Sequence, residues 1–420
     1  MRIIIIDTTL TTPPTGGAQT FLVELGGALV ERGWTVSVVT QPGPVEEIVA
    51  SLRRAGVEVR EDIWAASDLP EERAARLAAW AGAQRPDVYV VSISPDAGWL
   101  ALPLLDAHIA TVTIAHNDVS AFYEPLKHYH PFVDCAVGVS EDIHRKIVER
   151  CHIPAERARR IAYGVHPVAP DEAEARCADS ADGDAPLRVG YVGRLVQSQK
   201  RVFDFVPLAE ELRRRGVAFE LQLIGDGSER AALEEEFKKR GLGGSVRFRG
   251  WLSPPEVERR LLELDVFLLL SDYEGLPVAL LEAMGHALVP VVTAIESGSA
   301  EVVRDGESGF VVQVGDVVGA AERLALLARD RETLRRMKHA AWERSREFSV
   351  GAMVENYLDC FKRLTGGGSA RAYRKGVPRP YPIMQSCASQ YPAWLRKLKA
   401  RLLVLAKGAL STRPSAQDSN

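Results

Sequence analysis

Two glutamates eight residues apart, Glu274 and Glu282, lie in the stretch Asp272 to Gly285, DYEGLPVALLEAMG. Carboxylates accept hydrogen bonds from hydroxyl groups, so two of them held apart could grip two polyhydroxylated rings. Gly275 lets the chain turn sharply and Pro277 suits the first turn of a helix, which places a helix N-terminus between the two acids. The free amides and positive dipole end of such a terminus favour a phosphate. If the helix starts near Pro277, Glu282 lies roughly 8 Å along its axis. A carboxylate on each side of a phosphate-binding point suits a nucleotide-diphosphate sugar, one acid holding the sugar and the other the ribose. By spacing alone, a solvated loop residue and an exposed helix residue would be the better reading of the pair.

Other residues could serve the same chemistry. The apolar run Leu187–Val192 leads into Gly193-Arg194-Leu195 and then Lys200. Two cations at the carboxyl edge of a nucleotide-type sheet can neutralise a diphosphate. Gly16-Gly17 opens a helix after the first strand, where a backbone can approach an anion closely. The spacing there is not G-x-G-x-x-G, and the second strand ends in Thr40-Gln41 with no acid for a ribose, which excludes a nicotinamide cofactor at that point. His116 stands at the carboxyl end of another strand, the edge at which open α/β sheets contact ligands. His128, His130, His144 and His152 lack the mutual spacing and the Cys or carboxylate partners of a metal site.

The elements that must carry these residues alternate. Strands are expected at Arg2–Ile6, Trp34–Thr40, Val57–Arg60, Val88–Ile93, Ile109–Ala115 and Asp134–Val139, with helices between them, including Ala97–Asp106 and one from Ser140 to about Arg150. The alternation resumes at Leu187 with strands Phe219–Ile224, Val246–Gly250, Val266–Leu270, Val289–Ala294 and Phe310–Val314. This is α/β architecture with parallel sheets. Pro207 falls inside the helix after Lys200 and is expected to kink it. Ser297–Glu301 starts a short helix, and Glu301 is read as structural. Pro170–Pro186 is small, acidic and poor in bulky apolar residues, so it reads as an exposed linker. The expected division is 1–168, linker 169–186, 187–348, a closing helix 349–365 and a tail 366–420.

Composition sets outer bounds. A chain of 420 residues can build two cores, and a net charge of −4 argues against a general nucleic-acid binder. Five scattered cysteines without a C-x-x-C pair point to a reducing compartment. The first apolar run is too short for a signal peptide, and no apolar stretch approaches the ~20 residues of a membrane span. The cytoplasm is the expected address.

Glu274-Gly275-x-Pro277 closing on Glu282 resembles the Glu-x7-Glu motif of the family-4 retaining glycosyltransferases, whose GT-B fold sets two Rossmann-like domains across a cleft. Gly193-Arg194-Leu195 with Lys200 is similar to that family's phosphate clamp, and the resemblance covers most of residues 1–365. It departs at Arg201 and Ala287, where glycine is usual, and at Tyr163, where asparagine is usual. The resemblance implies that the nucleotide binds mainly the second domain and the acceptor mainly the first. It implies that Glu274 orients the donor sugar and Glu282 the ribose. Arg194, Lys200 and the turn Gly275-Leu276-Pro277 would stabilise charge on the departing β-phosphate. Gly16 and Gly17 would face the diphosphate across the cleft. His116 would touch the donor sugar near the reaction centre without acting as a general base. The implied reaction is a front-side displacement that retains configuration and uses no protein nucleophile. No metal is implied, there being no Asp-x-Asp motif near the cleft, and no cofactor beyond a UDP-, GDP- or ADP-sugar donor. The implied acceptor is a glycan or lipid-linked saccharide of cell-surface polysaccharide biosynthesis. Two other readings stay open: a nucleotide-sugar epimerase of the same fold, and a module that binds a nucleotide sugar without turnover.

Residues 366–420 lie outside the resemblance and hold ten basic residues and one acidic, +9, against −13 for the rest of the chain. Residues 393–410 can form a helix with Trp394, Leu398, Leu402 and Leu405 on one side and five basic residues unopposed by acids. Such a helix could lie on an anionic membrane at its inner face, or dock on the acidic body of the same chain.

Overall fold

The computed structural model describes residues 1–10, 16–178, 185–296 and 298–366. The end of the expected linker, Ser297 and the tail after 366 with its expected amphipathic helix fall outside them. Among the described residues, two parallel sheets account for all the strands. The first runs β3-β2-β1-β4-β5-β6-β7, from β1 (Arg2–Asp7), β2 (Thr35–Val39), β3 (Glu58–Arg60), β4 (Val88–Ile93), β5 (Ala110–Ala115), β6 (Cys135–Gly138) and β7 (Ala158–Arg160). The second runs β10-β9-β8-β11-β12-β13, from β8 (Leu187–Val192), β9 (Phe219–Ile224), β10 (Val246–Gly250), β11 (Val266–Leu269), β12 (Val289–Thr293) and β13 (Phe310–Val312). Central strands such as β5 and β11 are buried along their whole length, as helices on both faces require, so they read as apolar runs without alternation. The order reverses between β1 and β4 in one sheet and between β8 and β11 in the other, and ligands of open sheets bind at such crossings.

The chain returns to its start through the helix Val350–Gly366, which packs on the first helix, Gly17–Glu31. The crossing is close. A Cβ on Gly164 would lie 2.4 Å from the Val350 Cα, so only glycine fits there. Tyr357 and Phe361 of the returning helix are fully buried, and Cys360 Sγ lies 3.5 Å from Cys135 Sγ on β6.

The structure corrects several expectations. Pro170–Ala178 is a helix rather than an exposed linker. Its Arg176 donates to the carbonyls of His286, Leu261, Leu262 and Leu264, and Ala173 and Cys177 pack against Trp342. Small residues that look uncommitted in the sequence are here what lets a helix lie close to a neighbour. Pro207 does not kink a helix, because a break at Arg201 lets the helix begin at Phe205 and leaves the proline in its first turn, where an amide donor is not needed. The Ala97 helix ends at Ala101 and continues as a 3-10 turn, since Pro103 withholds an amide.

Candidate functional site

The second sheet's crossing brings three of the singled-out residues together. Arg194 leaves the end of β8, Lys200 ends the four-residue helix Gln197–Lys200, and Glu274 lies in the loop after β11. Glu274 is buried and its carboxylate is fully engaged. Lys200 Nζ donates to Oε1 at 2.6 Å, Ser271 Oγ to the same oxygen at 2.5 Å, and Gln199 Nε2 to Oε2 at 3.3 Å. Arg194 is exposed and reaches the cluster through Gln199, donating from Nη2 to Oε1 at 2.8 Å. Neither Ser271 nor Gln199 stood out in the sequence, because a neutral polar residue beside a motif carries no charge pattern.

The motif helix runs Val278–Gly285, with Pro277 at its N-cap and no side chain capping its first amides. Leu276 and Pro277 are buried in the turn that leads into it. Glu282 stands on this helix with no hydrogen bond or ion pair to its carboxylate among the described residues. Burial foremost, and then the nearby charges of Glu258 and Glu24, raise its pKa to about 7. Glu24 comes from the first helix, where it pairs with His166 at 2.9 Å.

The first domain closes against this helix. A Cβ on Gly17 would lie 2.5 Å from Val278 Cγ2, and one on Gly275 would lie 2.1 Å from the His116 carbonyl oxygen. Gly17 therefore admits a side chain of the opposite domain. Gly16 caps the first helix and its amide is taken by Gln19 Oε1 at 2.7 Å. Glu301, read as structural, reaches across the domains: it accepts from the Glu141 amide at 2.7 Å and pairs with Arg160.

His116 lies inside a polar chain at the first sheet's edge. Its Nδ1 meets the Tyr163 hydroxyl at 2.5 Å and its Nε2 meets Ser92 Oγ at 2.9 Å, while Ser92 donates to Asp7 Oδ2 at 2.9 Å. Because the serine proton goes to Asp7, Ser92 accepts from Nε2–H, and Nδ1 accepts from Tyr163. Burial holds the imidazole pKa down at about 3, so the ring is neutral. Both nitrogens are committed within the first domain, and it is the His116 backbone that meets the Gly275 turn. Tyr163, which replaces the usual asparagine, is thus part of the chain that orients His116. Among the described residues, no three His, Cys, Asp or Glu side chains are grouped as metal ligands, and no helix is long and apolar enough to cross a membrane.

Two nucleotide-type sheets with facing crossings, one of them carrying two cations and a buried carboxylate, define the GT-B class of fold. Residues 15–168 match the family model described as Glycosyltransferase Family 4, and residues 178–344 match the one described as Glycosyl transferases group 1. The chain belongs to this family of GT-B glycosyltransferases. It is 35% identical over 156 residues to the putative colanic acid biosynthesis glycosyltransferase WcaL of Salmonella typhimurium, a match covering 36% of this chain and 38% of that protein. It is 26% identical to the lipopolysaccharide core biosynthesis glycosyltransferase LpsE of Rhizobium meliloti, over 82% of this chain and 95% of the relative. The fold is similar to that of Anabaena Alr3699/HepE in complex with UDP and glucose, with a TM-score of 0.69 at 17% identity, covering 86% of this chain and all of the other.

Proposed function

We propose that this protein is a retaining, metal-independent hexosyltransferase that moves a sugar from a nucleotide-diphosphate sugar to a glycan or lipid-linked saccharide in cell-surface polysaccharide synthesis. The observation that carries this reading is the convergence of Arg194, Lys200 and Glu274 beside the uncapped start of the motif helix. When the glycosidic bond to the diphosphate breaks, negative charge grows on the β-phosphate. Arg194, Lys200 and the first amides of the motif helix would stabilise it, each preorganised donor being worth about 10²–10³-fold in rate. A bound diphosphate would draw Lys200 away from Glu274 and release that carboxylate to accept sugar hydroxyls. Glu282 would accept from the ribose hydroxyls. The two cations take the place of a metal ion, and no further cofactor takes part. His116, neutral and held by Ser92 and Tyr163, positions the first-domain backbone against the Gly275 turn and serves as no base. Residues 1–168 hold the acceptor and 187–348 the donor. The names of the WcaL and LpsE relatives, both polysaccharide or lipopolysaccharide enzymes, support the acceptor class. The UDP and glucose bound in the HepE structure support the donor class.

The test is turnover of UDP-, GDP- and ADP-sugars in excess EDTA, followed by NMR of the anomeric proton. One donor should be consumed with its anomeric configuration kept. Loss of activity in EDTA would overturn metal independence, and an inverted product would overturn retention. The +9 balance of residues 366–420 supports peripheral contact with an anionic membrane through residues 393–410. Liposome flotation of the full chain should exceed that of a 1–366 truncation, and equal flotation would remove the membrane contact.

A further inference from the structure

Gln199 is buried at 5% exposure and makes four contacts that tie its short helix to the loops after β8 and β11. Its side-chain oxygen accepts from Arg194 Nη2 at 2.8 Å, and its Nε2 donates to Glu274 Oε2 at 3.3 Å and to the Tyr273 carbonyl at 3.2 Å. Its own backbone carbonyl accepts from the Asp272 amide at 2.8 Å. A guanidinium only donates and a carboxylate only accepts, so one amide facing both is held in a single orientation. Among neutral side chains of this length, only an amide can satisfy a cation on one side and an anion on the other. Arg201, two residues further on, has a left-handed backbone (φ +48°), which ends the short helix and leaves Gln199 and Lys200 both directed at the Glu274 loop.

We propose that Gln199 is a positioning residue of the donor site, its amide locking the Arg194 guanidinium and the Glu274 carboxylate into one unit with a fixed separation between the phosphate contact and the sugar contact. The inference rests on the transferase reading above and extends it to a residue outside the clamp. Arg194 is a long exposed side chain, and Gln199 holds it in place before any charge develops. Glu274 keeps one oxygen turned to Gln199 even when Lys200 moves to the diphosphate, so the carboxylate stays aimed while its other oxygen is released.

The experiment compares Q199E and Q199M with the wild-type chain in steady-state turnover of UDP-glucose, UDP-N-acetylglucosamine, GDP-mannose and ADP-glucose, from pH 5 to pH 8.5. At pH 7.5 both variants should lose about tenfold to a hundredfold in kcat, with the donor KM within about threefold, because a charge-assisted hydrogen bond is lost from the transition-state arrangement. The charged and titratable residues around position 199 are Arg194 from the β8 loop, Lys200 on the same turn, and Asp272, Tyr273 and Glu274 from the β11 loop, with the Tyr191 hydroxyl on the Arg194 carbonyl. In Q199E an ionised carboxyl opposes Glu274, whereas a protonated one donates to it, so activity relative to wild type should recover as the pH falls. Q199M has nothing to protonate and should show no recovery. A purely structural role would move neither the pH profile nor the contrast between the two variants. The proposal is overturned if Q199E keeps the wild-type kcat, or loses activity without recovery at low pH. If Q199M fails to fold, the isosteric Q199E still decides by its pH profile. A wild-type chain that turns over none of the four donors would overturn the transferase reading itself, and this inference with it.

Discussion

Lys200 and Glu274 neutralise each other across 2.6 Å in a largely buried setting, so neither meets a ligand without giving up the other. Lys200→Ala leaves the Glu274 carboxylate without its cation, and Arg194→Ala removes the exposed cation proposed to meet the diphosphate. Each should lower kcat by about 10²–10³-fold with a smaller effect on donor KM, measured by steady-state kinetics; unchanged turnover in either variant would sink the clamp assignment. Glu282 carries a different signature. Its pKa is raised from the usual 4.5 to about 7, so between those values the folded chain binds a proton that the unfolded chain has released. Stability from this group is therefore present below about pH 4.5 and is lost as the pH rises through about 7. Glu282→Gln removes that loss. The melting temperature of the variant, followed by calorimetry, should gain on wild type between pH 5 and pH 8 and not the reverse.

At the scale of elements, the motif helix is gripped by glycines from both directions. Gly17 faces the side chain of Val278, whereas Gly275 faces the backbone of His116. A side chain can be trimmed and a backbone cannot. Gly17→Ala should therefore impair closure and lower turnover about tenfold or more, since small misplacements of a site are costly. Adding Val278→Ala should restore most of it. Gly275→Ala should be impaired without any such rescue, and small-angle scattering should report a more open chain. Rescue of neither or both would remove the distinction between the two contacts.

The whole molecule is tied together away from the cleft. Asp265 at the start of β11 accepts from Arg188 Nη2 at 2.8 Å and from the buried Lys338 Nζ at 3.0 Å, and Lys338 also donates to the Arg176 carbonyl of the connecting helix at 3.2 Å. These cations hold the Asp265 pKa down at about 2 against the opposing effect of burial. Lys338→Met keeps the volume but strips a buried carboxylate of one partner, a change that costs about 3 kcal/mol where ion pairs are buried. Urea unfolding should register that loss. A carboxylate whose folded pKa is lowered contributes stability that is present above its unfolded value of 3.8 and lost as pH falls toward 2, so the variant and the wild type should converge in acid. Convergence at neutral pH instead would show that Arg188 suffices alone.

Much of the architecture is legible in the sequence, because its causes are local. Buried parallel strands announce themselves as apolar runs, and Leu187–Val192 and Phe219–Ile224 stand where the pattern places them. Arg194, Lys200, Glu274 and Glu282 stood out only once their charge and spacing were joined to the family resemblance, the first three near strand ends and Glu282 on the motif helix. Arg201 and Ala287 were visible as departures from glycine, but only the backbone shows that both keep the left-handed conformation glycine favours, with φ of +48° and +56°. Arg201 offsets the strain by pairing with Asp204 and Asp272, while Ala287 is wholly buried beside Trp342. Everything that depends on distant neighbours waited for the tertiary structure. The linker composition of 170–178 hid a helix, because the partners of its Arg176 lie 85 or more positions further on in the chain. Gln199, Ser271, Tyr163 and Glu301 carry no pattern of their own. Their roles come from which loops two sheet crossings bring within hydrogen-bond reach, and that is set by packing across the whole chain rather than by any stretch of it.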